Sequence, residues 1–246
     1  MHIKGIDLRH AIFTARYFLR EEHKIVRTAN WQGDQSPFDF LEHLNLTLEC
    51  PMEDTKQGAM LYCQPLLPWA DEHFEERVSG IPYNPPPSHT KWLKKTEDYL
   101  ESDSKFSHTY PERMWSKGLH GGLRHDIADL SDAVDLLKQD LYTRQCYIPI
   151  YFPEDLTAAK ENRRIPCTLG WHMIVRDEKL HCHYPMRSCD AIRHFHNDLY
   201  LANRLVLWFI EQLDCGLEAG QLLFSATSFH CFTNDSYTLQ KIIERG

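Results

Sequence analysis

Nowhere in these 246 residues do two cysteines stand in a CxxC spacing, although the chain carries eight, at positions 50, 63, 146, 167, 182, 189, 215 and 231. Scattered thiols in a chain this long argue against a disulfide framework and for reduced cysteines in a cytoplasm. Long apolar runs are missing too: the longest, Leu205 to Ile210, is far too short to span a bilayer. The opening MHIKGIDLRH lacks the apolar segment of a signal peptide. A cytoplasmic protein without a membrane partner is expected. Positive charge is in short supply, since 27 Lys and Arg against 35 Asp and Glu leave a net charge of −8. Counterion release on a polyanion needs a broad cationic face, so no nucleic-acid partner is expected. A nucleotide site served by a few arginines stays open. There is no internal repeat and no low-complexity tail.

What remains is the composition of a globular protein, with 42% hydrophobic and 25% charged residues. The length suits one substantial core and predicts a single domain over residues 1–246. Residues 7–22 place Ile12, Ala15, Phe18 and Leu19 on one helical face, and 24–31 and 38–51 read as strands. A short helix is expected over 69–78, a proline-rich loop over 79–88 and a helix over 90–100. The loop over 102–122 holds Tyr110 and Trp115, and its glycines at 118, 121 and 122 make it flexible. Residues 126–140 carry Ile127, Leu130, Val134, Leu137 and Leu141 in helical phase, and 145–152 reads as a strand. Two strands joined by Asp177-Glu178-Lys179 follow, then a loop and a helix over 198–214 that Asn197 or Asp198 can cap. A strand over 220–232 and a helix over 236–245 complete the pattern. Interleaved strands and helices without regular alternation predict an α/β (α+β) fold, a large sheet packed by helices.

The chemistry concentrates between Arg164 and Tyr200. Pro166-Cys167 opens the first strand of the pair, Arg187-Ser188-Cys189-Asp190 ends the second, and Asn197-Asp198 stands at the helix start. One compact unit thus delivers a nucleophile, a cation with a hydroxyl beside it, and a carboxylate. Those parts suit the holding and attack of an anionic, nitrogen-rich ring. Taken singly each has a plainer reading: a cysteine as a small buried hydrophobe, Asp198 as a helix cap, Arg27 and Arg144 as solvated charges. Fifteen histidines include His181 and His183 on one strand face. A zinc site needs further ligands at set spacings, none is signalled, and no metal is expected.

In order and spacing, Pro166-Cys167, Arg187-Ser188-Cys189-Asp190 and Asn197-Asp198 resemble the thymidylate synthase superfamily. More specifically they are similar to its pyrimidine hydroxymethylase branch, the deoxycytidylate and cytidylate hydroxymethylases, over about residues 142–232. The resemblance implies a thymidylate synthase-like fold in which a sheet face forms a homodimer interface. It makes Cys167 the nucleophile that adds to carbon 6 of a pyrimidine. An ordinary thiol titrates near about 8.5, so a cation, Arg187, is expected to favour the thiolate. Arg187 and Ser188 are implied phosphate ligands, with Arg27 a candidate from an early strand. Arg144 matches the first of two arginines that reach the partner's phosphate; Gln145 replaces the second.

Asp198 lies 198 − 167 = 31 positions after the cysteine, the register of the residue that meets ring nitrogen 3 and the exocyclic group. Asparagine there suits uracil, and a protonated aspartate suits cytosine, whose nitrogen 3 accepts and whose amino group donates. Asp190 resembles an aspartate near the folate pterin. His230 matches the histidine that holds the sugar 3′-hydroxyl, and Phe232 replaces a tyrosine that helps it, which leaves ribose and deoxyribose both open. Tyr110 resembles a tyrosine that assists proton removal. Glu76, with Glu75 as its rival, matches a glutamate that positions water.

The implied co-substrate is 5,10-methylenetetrahydrofolate. Carbon 5 takes its one-carbon unit, and hydride or water then completes a methyl or a hydroxymethyl group. Sixteen residues follow His230 (246 − 230), few for a closing lid, so water capture is expected. The expected activity is (deoxy)cytidylate 5-hydroxymethyl transfer. Thymidylate synthase-type methylation and a non-catalytic nucleotide-binding homologue are the alternatives.

Overall fold

Alternating apolar and polar residues build one mixed sheet of seven strands. The computed structural model describes residues 1–28, 38–92, 99–101, 103–115 and 129–245. The strands are β1 (His2–Lys4), β2 (Lys24–Thr28), β3 (Phe38–Pro51), β4 (Tyr147–Pro149), β5 (Gly170–Arg176), β6 (Lys179–Asp190) and β7 (Glu218–Phe232). They run in the order β1-β3-β7-β6-β5-β4, and β2 pairs with β3. The helices are α1 (Leu8–Glu21), α2 (Lys56–Cys63), α3 (Trp69–Val78), α4 (Tyr110–Met114), α5 (Leu130–Gln139), α6 (Asp155–Lys160), α7 (Phe195–Leu213) and α8 (Ser236–Arg245). The large sheet packed by helices is as expected. No helix among the described residues is long and apolar enough to cross a membrane.

The β5–β6 hairpin turns through Asp177 and Glu178, both at positive φ (51° and 59°). That two-residue turn matches the right-handed twist of the strands and fixes their register. β6 then outruns β5, whose pairing begins at His172 opposite His183, and lies parallel to β7. The parallel register sets Ser188 beside Ser228 and Asp190 beside His230. Antiparallel pairing of β3 with β7 adds Glu42 beside His230 and Phe40 beside Phe232. One end of three adjacent strands therefore presents polar side chains in rows. Beneath them α7 buries Phe195, Leu199, Leu205 and Phe209. The Phe195 ring packs 5.2 Å from Phe224 and 4.9 Å from Phe229, which anchors the first turn of α7 to β7.

Several expectations need correction. Helix α7 starts at Phe195, not near 198, and its N-cap is His194, whose side chain makes no capping bond. The strand expected over 145–152 shrinks to Tyr147–Pro149, because Pro149 has no N–H to carry a ladder onward. The loop around Tyr110 contains α4, nucleated by a capping box between Thr109 and Glu112. Residues 29–31 of the second expected strand, most of the helix over 90–100, the glycines at 118–122, and Ile127 lie outside the described residues.

Helix α4 is fixed by a buried charge pair. Arg113 donates to both Asp155 oxygens at 2.7 and 2.8 Å and to the Ile150 carbonyl at 2.8 Å. Only about a twentieth of either side chain is exposed. Removing one partner strands the other charge, at a cost of about 3–5 kcal/mol, whereas apolar replacement of both is close to neutral. In urea unfolding, Asp155→Ala is expected to lose about 3–5 kcal/mol, and the double variant Arg113→Met/Asp155→Leu to recover most of it.

Candidate active site

Cys167 is placed by backbone contacts to β6. Its carbonyl accepts the Arg187 N–H at 2.9 Å, and Thr168 bridges to Met186. Arg187 returns the contact from its side chain. Nε donates to the Pro166 carbonyl at 2.9 Å, Nη2 to the Ile165 carbonyl at 3.1 Å, and Nη2 stands 3.8 Å from Cys167 Sγ. The juxtaposition of sulfur and guanidinium is as expected; the electrostatic outcome is not. Burial pushes the Cys167 thiol up, and Arg187 only partly offsets it. The protein alone therefore favours the thiol form at neutral pH.

Asp198 lies in the first turn of α7, and its N–H donates to the His194 carbonyl at 2.9 Å. That bond is already helical, so Asp198 does not cap. Asn197 does not either: its side chain accepts from Leu66 N–H at 2.8 Å and donates to the Arg193 carbonyl at 3.1 Å. The Asp198 carboxyl instead lines a cavity of about 510 Å³ together with Cys167, Tyr110, Arg187, Ser188, Asp190 and His230. Cys189 Sγ donates to its Oδ2 at 3.8 Å. Burial pushes the Asp198 carboxyl up to about 7, against the opposing pull of the Arg77 cation and the Cys189 bond.

Around this pair the cavity has two differently built halves. On one side Ser188 Oγ lies 3.4 Å from His230 Nδ1, and Ser228 Oγ lies 3.3 Å from the same nitrogen. Asp190 is fixed at the boundary, its Oδ1 accepting the Ile192 and Arg193 N–H groups at 2.9 Å each. On the other side Trp92 stacks on His194 with centroids 5.0 Å apart and planes 17° apart, and Trp69 meets Trp92 at 4.0 Å. Flat faces of this kind accept a heteroaromatic ring. Tyr110 stands between the halves. Thr168 Oγ1 bridges its hydroxyl (3.0 Å) to that of Tyr184 (2.9 Å), and burial pushes the Tyr110 phenol up to about 12.

Other expected residues fall elsewhere. Arg27 does not reach the cavity: Val26 and Thr28 line it, and strand alternation turns Arg27 the other way. There it is exposed and makes a two-pronged pair with Asp39 at 2.8 and 3.1 Å. Arg144 is exposed and outside the cavity of its own chain, its carbonyl 3.0 Å from His172 Nε2. Glu75 pairs with Arg204 at 2.8 Å and is mostly exposed. Glu76 is buried behind the cavity wall, where Ser88 N–H and Oγ donate to it at 2.5 and 2.6 Å. Burial opposes its charge, but bonds from His73 and Ser88 together outweigh that and hold the carboxyl below its ordinary value.

Sequence reasoning missed His73, Arg77, Arg164 and the Trp69–Trp92–His194 stack, all of which line the cavity. A signal for two of them was available. Ala70, His73, Phe74 and Arg77 recur at the i, i+3, i+4, i+7 spacing of a buried stripe. Arg164, adjacent in sequence to Arg163, gave no such signal; it lies 4.7 Å from the centre of the Tyr99 ring.

Residues 88–246, well over half the chain, match the family model described as thymidylate synthase. No curated protein matches in sequence. Among solved structures the chain is similar to the thermostable thymidylate synthase A of Bacillus subtilis, with a TM-score of 0.70 and 16% identity, covering 97% of this chain and 84% of that one. At that identity the likeness speaks for the fold.

A carboxyl raised from its ordinary value to about 7 favours the folded state when protonated. Its contribution is full below the ordinary carboxylate range and is lost as pH rises through about 7. Between pH 5.5 and 8 the wild type is expected to lose about 2 kcal/mol more than Asp198→Asn. Urea unfolding of both proteins at the two pH values measures the difference, and an equal loss in both contradicts it.

Proposed function

The chain belongs to the thymidylate synthase family, and from that premise we propose that it is a (deoxy)cytidylate 5-hydroxymethyltransferase. The family's members are folate-dependent one-carbon transferases acting on pyrimidine nucleotides. The observation that carries the finer reading is the Asp198 carboxyl, turned into the cavity beside Cys167 and held near half-protonation at neutral pH. A neutral carboxyl offers one donor and one acceptor. Cytosine presents an acceptor at nitrogen 3 and a donor at its amino group, so the two edges are complementary. Uracil already carries a proton on nitrogen 3, so the carboxyl proton has no ring nitrogen to pass to.

In this reading Cys167 adds to carbon 6 and Asp198 holds the base edge. Arg187 and Ser188 take the phosphate, with Arg144 reaching the site of a partner copy in a homodimer. His230, braced by Ser188 and Ser228, holds the sugar. Methylenetetrahydrofolate supplies a one-carbon unit at the oxidation level of formaldehyde, and the Trp69–Trp92–His194 face with Asp190 suits its ring system. Tyr110, joined to Thr168 and Tyr184, offers a hydroxyl chain for the proton lost from carbon 5. Glu76 is the group that positions the attacking water. Water capture is supported by α8. Its buried Leu239 and Ile243 and the Arg20–Gln240 bond commit it to α1, and none of its residues lines the cavity. Eight unpaired cysteines fit a reducing compartment such as the cytoplasm.

Incubation with methylenetetrahydrofolate and, separately, cytidylate, deoxycytidylate, uridylate and deoxyuridylate tests the proposal by product mass. Hydroxymethyl addition to a cytosine nucleotide is expected. A methyl product, or no product from any of the four, refutes it. Cys167→Ser is expected to abolish turnover while keeping nucleotide affinity within a few-fold. Asp198→Asn is expected to shift kcat/KM toward the uracil nucleotide by at least about 10²-fold, and unchanged base preference counts against the role of Asp198.

A further inference from the structure

Among the described residues Arg77 is a buried cation that makes no salt bridge. The residue is 5% exposed and forms part of the cavity wall. Its Nη2 donates to His73 Nε2 at 2.9 Å, and its guanidinium lies 4.0 Å from the centre of the Tyr110 ring. Its Nε is buried with no hydrogen-bond partner. Desolvating a guanidinium is costly unless a counter-charge or a full set of acceptors meets it, and neither a neutral imidazole nor a phenol face is a counter-charge. The position is nonetheless actively held. A guanidinium can only donate, so His73 Nε2 accepts from Arg77 and the neutral ring carries its proton on Nδ1, 3.5 Å from Glu76 Oε2. Ser88 in turn clamps Glu76. A chain of four side chains therefore aims one unsatisfied cation at the cavity.

Its neighbours say what anion it meets. Tyr110 is bonded to Thr168, the residue after Cys167, and Arg77 is the strongest cationic influence on Asp198. Arg77 thus lines one cavity with the nucleophile Cys167 and the base-reading carboxyl of Asp198. We propose that Arg77 is a positioning residue that acts through Asp198, facing the carboxylate left there when Asp198 gives its proton to the base. The proposal rests on the roles of Cys167 and Asp198 in the function proposed above.

The step balances without any oxidant or reductant. The Cys167 thiol gives its proton to water, and the thiolate so formed makes a sulfur–carbon 6 bond. The carbon 5–carbon 6 π pair moves to carbon 5–carbon 4, and the carbon 4–nitrogen 3 π pair moves onto nitrogen 3. That nitrogen takes the Asp198 proton. One negative charge has travelled from sulfur to Asp198, which lines the same cavity as Arg77. A fixed cation at the place where charge arrives lowers the barrier without reorganisation. Its bond to His73 and its contact with the Tyr110 ring hold the guanidinium in place, and its Nε is left without a partner before the charge moves.

Exchange of the carbon 5 hydrogen for deuterium isolates this step, because it needs addition and reversal but no folate. Cytidylate and deoxycytidylate are incubated in D2O with wild type, Arg77→Met and Arg77→Lys, and exchange is followed by mass against pH. Arg77→Met keeps the volume and removes the charge. It is expected to slow exchange by about 10²-fold, to leave nucleotide affinity within about threefold, and to move the alkaline limb of the profile upward as Asp198 loses its cation. Arg77→Lys is expected to stay within about tenfold of wild type with its limb nearly in place. An Arg77→Met rate within threefold of wild type and an unmoved limb overturn the proposal while leaving the enzyme reading intact. If Arg77→Met does not fold, Arg77→Lys decides: a hundredfold loss in that variant rules out charge as the property that matters. Absence of exchange in the wild type overturns the functional reading and this inference together.

Discussion

Burial of the Asp198 carboxyl against the pull of Arg77 is the interaction on which the rest of the site depends. Desolvation alone disfavours the carboxylate and a nearby guanidinium favours it; the two together leave the group close to half-protonation at neutral pH. A fully ionised carboxylate offers only acceptors to a base. A carboxyl buried with no cation nearby would hold its proton too firmly to release it. Between those limits the group can both hold and release a proton, which is what the proposed reading of a cytosine edge requires. The thiol of Cys167 is poised in a related way, pushed up by burial and partly brought back by Arg187.

The sheet makes that balance possible by bringing distant segments to one place. Parallel pairing of β6 with β7 aligns the ends of two strands, and antiparallel β3 adds a third. Because β6 continues past the end of β5, the backbone of residues 165–168 folds onto β6 and carries Cys167 to Arg187. Helix α7 is pinned by Phe195 against Phe224 and Phe229, and this directs Asp198 into the cavity three residues later. The buried Arg113–Asp155 pair does the equivalent for Tyr110 on α4. Each functional group thus sits one to three residues from a rigid anchor, which limits how far its geometry can drift.

Much of this was legible in the sequence, for physical reasons that also explain the gaps. The β5–β6 hairpin and β7 were readable because strand alternation and turn chemistry are local properties. Cys167, Arg187, Ser188, Asp190, Asp198 and His230 were readable together because their order and spacing form one block, and the structure gathers all six into one cavity. Arg27 stands outside the cavity, and nothing local says which face of a two-sided edge strand meets it; Val26 and Thr28 do. Asp198 looked like a cap because Asn-Asp suits a helix start, yet the aromatic anchor at Phe195 moves that start upstream. His73 and Arg77 were missed because WADEHFEERV reads as a solvated helix when its charges are counted. The i, i+3, i+4, i+7 spacing of Ala70, His73, Phe74 and Arg77 marks the stripe, but the many charges around it hide which face is buried.

The state of one carboxyl at neutral pH can be observed without any substrate. Carbon-13 labelling of aspartate, with Asp198→Asn to identify the resonance, allows its titration to be followed by NMR. The account predicts a carboxyl carbon that shifts with a midpoint near about 7, as burial requires, and whose midpoint rises further in Arg77→Met. A resonance that titrates near about 4, the range of an ordinary aspartate, would contradict it, because an ionised Asp198 could not meet cytosine in the manner proposed.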